Sequence, residues 1–140
     1  MTENILTFKL CNNLLGLDVT LVKEINRNIE FTPIPGSKNY VVGFFNMRGQ
    51  VVTLFDLAKL LGIGDTKEQE TRTCIVLKHP KDPDQVGFLI DNPGDVLEID
   101  RDESELPPAN IGLAESEFIE SVVKLKDELL IVIDPRKIFE

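Results

Sequence analysis

The 140 residues contain no tryptophan, one tyrosine, one histidine and two cysteines. Two cysteines rule out a disulfide framework. Cys11 and Cys74 each sit in or beside an apolar, strand-like run, which suits a reducing cytosol. The single histidine, His79, lies in the loop-like stretch Lys78-His79-Pro80-Lys81-Asp82-Pro83-Asp84 and has no partners for a catalytic triad or a multi-histidine metal site. Long hydrophobic runs are missing too. The longest aliphatic stretch is Leu129–Ile133, against the roughly 20 residues a membrane-spanning helix needs. Met1-Thr2-Glu3-Asn4 lacks the basic start and apolar core of a secretion signal, so a cytoplasmic chain is expected.

Positive charge is scarce. Fifteen Lys and Arg face twenty-four Asp and Glu, a formal net charge of −9, which leaves no basic stripe for a phosphate backbone and excludes nucleic acid as a partner. Nine carboxylates and one basic residue, Arg101, lie between Asp95 and Glu120, a run read as a solvated loop face. Asp100-Arg101-Asp102-Glu103-Ser104 opens like a calcium loop, but its sixth position is Glu105 instead of glycine and its twelfth is Ile111. Gly62-Ile63-Gly64 lacks the Gly-Lys-Ser/Thr of a phosphate loop. No carboxylate pair is singled out for hydrolysis. Catalytic residues, metal ligands and cofactors are therefore not assigned, and the chain reads as a non-enzyme. Its 42% apolar content, without low-complexity runs, is that of a folded chain of one domain or two very small ones.

What the chain does contain is a concealed duplication. Residues 44–61 read FFNMRGQVVTLFDLAKLL, and 78 residues later 122–139 read VVKLKDELLIVIDPRKIF, with no gap between the two patterns. Each opens on an apolar pair, passes a polar turn, and runs through strand-forming residues to Asp56 or Asp134. Each closes on a short amphipathic helix. An aspartate there caps the helix, typically worth about 1 kcal/mol. Pro135 suits the first helical position and Gly62 the helix stop. Upstream, Leu15–Asp18 is echoed by Phe88–Asp91, and Val22-Lys23-Glu24-Ile25 by Val96-Leu97-Glu98-Ile99.

Each copy thus reads as strand, turn, strand, a V-x-E-I segment, hairpin, aspartate and short helix. About five short strands per copy close most economically into a small barrel. A barrel of such size is marginal alone, so the two should share an apolar seam. The expected division is a single domain over 1–140, with a first barrel at about 12–66 and a second at about 67–140. Terminal strands are free to cross between barrels, and the polar stretch Gly62–Arg72 is the connector.

These residues resemble a known family. Leu17-Asp18-Val19, Val22-x-Glu24-Ile25, Pro33-x-Pro35, Tyr40-Val41-x-Gly43 and above all Gly43-Phe44-Phe45-Asn46-Met47-Arg48-Gly49-Gln50-Val51-Val52 are similar to the CheW-type domain and its G-x-x-N-L-R-G-x-V-V signature. Val86–Asp91 and Leu129–Asp134 fall where that family carries its later segments, so the resemblance spans about Ile5 to Phe139. Departures are Thr53, where proline is frequent, the bulky Phe44 and Phe45, and Pro93. The resemblance implies a mainly β fold: two SH3-like five-stranded β-barrels packed on a shared hydrophobic core, with short helices. It implies a cytoplasmic adaptor linking methyl-accepting chemoreceptor tips to a histidine kinase through the kinase's regulatory domain, in ring-like arrays. Neither kinase nor receiver segments accompany it here, so a free-standing adaptor is expected.

By the same resemblance Val22 and Gly43 match kinase-facing positions, and Phe44, beside Gly43, is a candidate hot spot. Phe44 and Phe45 are adjacent in a strand, so one faces the core and the other faces outward. Glu24 and Arg48 border the receptor-facing surface and are expected to pair, as are Glu98 and Lys126 in the second copy. Ile25, Gly87 and Val96 would line a groove between the barrels for a receptor hairpin. Gly43 is expected at a turn of positive φ or at a close backbone approach, and Gly49 in a hairpin turn. Two other functions fit the same residues: a small-ligand-binding double barrel, and an adaptor of a chemosensory pathway other than swimming.

Overall fold

The structure is a computed structural model, and it describes residues 2–33, 41–62, 71–78, 85–100, 104–105 and 118–135. Tyr40, Pro35, His79, most of the connector and residues 136–140 of the expected second helix lie outside that set. In chain order come β1 (Thr2–Leu10), β2 (Asn13–Asp18), a 3-10 turn (Val19–Leu21), β3 (Val22–Glu30), β4 (Thr32–Pro33), β5 (Val41–Met47) and β6 (Gln50–Phe55). After the helix α1 (Leu57–Leu61) follow β7 (Thr71–Leu77), β8 (Gln85–Ile90), β9 (Asn92–Asp100), β10 (Ser104–Glu105), β11 (Ile119–Lys124) and β12 (Leu129–Ile133).

The strands form two six-stranded sheets. One has the order β10-β11-β12-β2-β1-β9 and the other, read in the matching direction, β4-β5-β6-β8-β7-β3. The two orders correspond strand for strand, each with one parallel pair at its centre, β12 with β2 and β6 with β8. The duplication is therefore structural. Each sheet has six strands where five were expected, the sixth being the two-residue β4 or β10.

The expected barrel boundary near residue 66 does not coincide with a sheet boundary. The first copy's leading hairpin, β1–β2, sits in the sheet built by β9–β12, while the second copy's hairpin, β7–β8, sits in the sheet built by β3–β6. The chain changes sheet between Asp18 and Val22 and again between Ile90 and Asn92. Each copy thus lends its hairpin to the other. The reason is register: β1 pairs with β9 from Thr2↔Asp100 to Lys9↔Asn92, and β7 pairs with β3 from Thr71↔Glu30 to Leu77↔Val22.

Alternation along the strands fills three cores at once. On β7, Cys74 and Val76 enter the interior of the β3 sheet with Val52, Leu54 and Leu89, while Ile75 and Leu77 enter a seam common to both sheets. On β12, Leu130 and Val132 enter the interior of the β9 sheet with Ile5 and Leu14, while Ile131 and Ile133 enter the seam. The seam also takes Phe8, Leu15, Leu17, Phe88, Ile90 and the apolar face of α1. Fully burying a Leu, Ile or Phe contributes about 1.5–3 kcal/mol, so strands buried on both faces hold the two sheets as one unit.

Asp56 caps α1 as expected, its Oδ1 accepting from the Lys59 N–H at 3.2 Å, and Gly62 ends the helix at φ 73°. Asp134 donates its backbone N–H to the Phe118 carbonyl at 2.8 Å. The hairpin exchange gives a direct prediction. Fragments 1–66 and 67–140 expressed separately are expected to lack cooperative melting, and co-expressed they are expected to co-purify as a folded pair. Circular dichroism melts and gel filtration read both outcomes.

Candidate functional site

The candidate site is built on the hairpin β5–β6 and the neighbouring edge strand β3. Met47 pairs with Gln50, leaving Arg48 and Gly49 as a two-residue loop with both φ positive, 52° and 85°. Such loops match the twist of a hairpin but favour residues that tolerate the left-handed region. Gly49 meets this directly and Arg48 only at a cost. The Gly49 N–H donates to Asn46 Oδ1 at 3.0 Å, which braces the turn from within the strand.

Three side-chain contacts then tie this hairpin to β3. Arg48 Nη2 donates to Glu24 Oε2 at 2.9 Å, Lys23 Nζ to Gln50 Oε1 at 3.4 Å, and Asn26 Nδ2 to Met47 Sδ at 3.2 Å. The ion pair is lopsided: the Arg48 side chain is 75% exposed and that of Glu24 19%. An exposed pair adds about 0–1 kcal/mol. What it does achieve is to bring the two ends of the β3 sheet together and leave a guanidinium standing at the rim.

The corresponding pair of the second copy is not formed. Among the described residues Arg48 pairs with Glu24 and Lys9 with Glu128, the latter at 2.7 Å. Lys126 sits in a wider turn, Leu125–Glu128, closed by the Leu125 N–H on the Glu128 carbonyl at 2.9 Å, so its place in that turn differs from Arg48's. Lys9 of β1 anchors this turn through Glu128 instead.

Phe45 packs against the interior of the β3 sheet, and Phe44 is exposed on the outer face, as the alternation requires. Val51, two pairs further along the hairpin, is exposed on the same face. Gly43 has no positive φ. The close-approach alternative holds, because a Cβ there would lie 2.2 Å from the Thr32 carbonyl oxygen and 3.0 Å from Phe31 Cδ2. The pairing of β4 with β5 demands glycine at that position.

Val22 and Ile25 are partly buried against the common seam. Val96 is the Leu6 partner on edge strand β9 and is 51% exposed, so it shares the seam side of that sheet and remains open. Gly87 is placed by packing. It is buried inside the β3 sheet, where a Cβ would meet Cys74 Sγ at 2.4 Å, Leu54 Cδ2 at 3.2 Å and Val52 Cγ1 at 3.3 Å. Its lack of a side chain is a packing requirement. Asn46, Lys23 and Asn26 belong to the site without having been assigned a role from the sequence. The signal was present for Asn46: a short amide acceptor two residues before a positive-φ pair.

Burial drives the Cys74 thiol far above the usual range, and the carboxylate of Glu24 adds to it. No group of three or more metal-ligating side chains occurs among the described residues. No helix of the described residues is long and apolar enough to cross a membrane.

Two matching six-stranded sheets on one shared core, presenting side chains at their rims, make this a double β-barrel protein. Residues 4–140 match the model of the CheW-like domain. The chemotaxis protein CheW of Thermotoga maritima is 33% identical over 136 residues, 97% of this chain and 87% of that protein. CheW of Bacillus subtilis is 29% identical over 139 residues, 99% and 87% of the two chains. The crystal structure of the scaffolding protein TtCheW from Thermoanaerobacter tengcongensis superimposes with a TM-score of 0.85 at 28% identity, covering 100% of this chain and 89% of that one. The chain belongs to the CheW-like domain family and is a non-enzymatic chemotaxis scaffold.

Two outcomes follow from the site's geometry. Arg48→Asn places the preferred Asn-Gly pair in the turn, and its melting temperature is expected to equal or exceed that of the parent despite the lost ion pair. The Cys74 thiol, held protonated when folded, stabilises fully below its usual value near 9.0, and that contribution is lost as the pH rises above it, because only the unfolded chain then releases the proton. Urea melts at pH 8 and 10.5 are expected to show the parent losing about 2 kcal/mol more than Cys74→Ala over that interval.

Proposed function

We propose that the chain couples chemoreceptor cytoplasmic tips to a histidine kinase, through the kinase's regulatory domain, in cytoplasmic ring-like hetero-assemblies. The observation that carries this reading is the asymmetry of two otherwise matching sheets. The β3 sheet presents a fixed guanidinium at its hairpin rim and an exposed phenyl ring on its outer face, while the matching positions of the β9 sheet are Lys126, without the glutamate pair, and the buried Val122. One rigid body thereby offers different chemistry to different partners.

Arg48 and Glu24, with Ile25 and Val96 along the seam, form the receptor side of this reading. Phe44 and Val22 form the kinase side, with Gly43 permitting the backbone pairing that holds Phe44 outward. Gly87 supports the receptor side only through the packing beneath it. The protein carries out no chemistry. It alters kinase output when the receptor favours one of two arrangements of the assembly, which requires contacts that differ between them.

The testing variants must leave the fold intact. Gly43→Asp fails that condition, since its side chain would collide with the Thr32 backbone. Arg48→Glu and Phe44→Asp change exposed side chains. With purified chemoreceptor tip fragment and kinase regulatory domain, Arg48→Glu is expected to weaken the receptor at least tenfold while keeping the kinase domain. Phe44→Asp is expected to do the reverse, as truncation of a central aromatic contact does. Parent affinities for both partners in both folded variants would refute the assignment.

A further inference from the structure

The turn that presents Arg48 is built against its own preference. Its first central residue has φ 52° and carries a long side chain, at a position where Asn, Asp or Gly is favoured. The Cβ of any such residue crowds the following carbonyl in the left-handed region. Two contacts hold the conformation: the 2.9 Å ion pair with Glu24 and the 3.0 Å hydrogen bond from the Gly49 N–H to Asn46 Oδ1. Around Gly49 no described atom lies within 4 Å of where a Cβ would be, and the loop's other ties run through its flanking residues, Met47 to Asn26 and Gln50 to Lys23.

The second copy supplies an internal comparison. Its sequence echo has a cation, Lys126, and a glutamate, Glu98, yet no ion pair joins them: Glu98 pairs with Asn4 and lies exposed on the Val96 face of β9, whereas Glu24 pairs with Val76 on the interior side of β3. Lys124 stands where Asn46 stands in the first copy, and an ammonium group has no acceptor. Its turn is the wider Leu125–Glu128 loop. The amide acceptor and the turn glycine both occur only in the first copy, Lys124 and Asp127 standing in their places in the second, and the paired cation occurs only with them.

We infer that Asn46 is a positioning residue for receptor binding: its carboxamide oxygen fixes the turn that holds Arg48 on Glu24, so that the guanidinium meets the receptor in one orientation. This rests on the receptor-facing reading of Arg48. A side chain ordered before contact has less freedom to lose on binding, so the hydrogen bond acts on affinity without touching the partner.

The test uses the full chain with the receptor tip fragment and the kinase regulatory domain, and the variants Asn46→Ala, Asn46→Asp, Arg48→Ala and the Ala-Ala double. Asn46→Ala is expected to weaken the receptor about three- to tenfold, the scale of one net hydrogen bond, and to leave kinase-domain binding within about twofold. Asn46→Asp keeps an acceptor and is expected to recover the parent affinity. In the Arg48→Ala background Asn46→Ala is expected to add no further loss. Amide exchange at Gly49 is expected to accelerate in Asn46→Ala and return to the parent rate in Asn46→Asp. A full additional loss in the double variant would mean that Asn46 touches the receptor itself and would overturn the inference. So would an unchanged receptor affinity in Asn46→Ala while Arg48→Ala weakens it. An unchanged affinity in Arg48→Ala overturns the receptor-facing reading instead, and the inference with it.

Discussion

The common apolar seam is the constraint on which the rest of the molecule depends. Phe8, Leu15, Leu17, Ile75, Leu77, Phe88, Ile90, Ile131 and Ile133 all enter it, from strands whose other faces fill two separate interiors. A small sheet with one buried face would be marginal. Here the central strands of each sheet are buried on both faces, which leaves the outward-facing side chains of the rims and outer hairpins free of core packing. Exposed residues such as Phe44, Val51 and Arg48 sit on those outer parts, where they are not needed to fill a core.

That arrangement separates two kinds of residue within one signature. Gly43 and Gly87 are fixed by backbone and side-chain neighbours 2.2–3.3 Å from a notional Cβ, so their identity is a matter of packing. Arg48 is the opposite, an exposed side chain in a conformation that its own Cβ disfavours. Backbone strain at an exposed side chain of this kind commonly accompanies function. Proximity in the sequence, Gly43 to Gly49, says nothing about which of these roles a residue has.

Much of the fold was legible. The V-x-E-I echo, the paired aspartates and the period-two runs identify two matching sets of strands, and Asp56, Gly62 and Gly49 take their expected local roles because capping and turn chemistry depend on near neighbours. The Glu24–Arg48 pair was legible for a similar reason, since β3 and the hairpin tip adjoin in any small barrel. The hairpin exchange was not. Whether β1 pairs with β9 or with β3 is decided by long-range register, and both strands have acceptable alternation. The packing role of Gly87 was not legible, because alternation does not say which of two apolar faces a residue enters. The Glu98–Lys126 pair failed on register, which puts Glu98 on the opposite face of its strand from Glu24, and on the turn, where Lys124 and Asp127 replace the amide and the glycine.

The traded hairpins carry a message about origins. A half-length ancestor with one copy of the pattern would leave its leading hairpin and its remaining strands each without a sheet. It would complete both only by clasping a twin, each lending its hairpin to the other. Joining two such genes end to end turns that encounter into an event within one molecule, at the millimolar effective concentrations that short tethers give. Once the twins are covalently joined they no longer need to be identical. One is then free to acquire a fixed cation at its rim while the other keeps a plain turn, and a symmetric clasp becomes a body with two different ends.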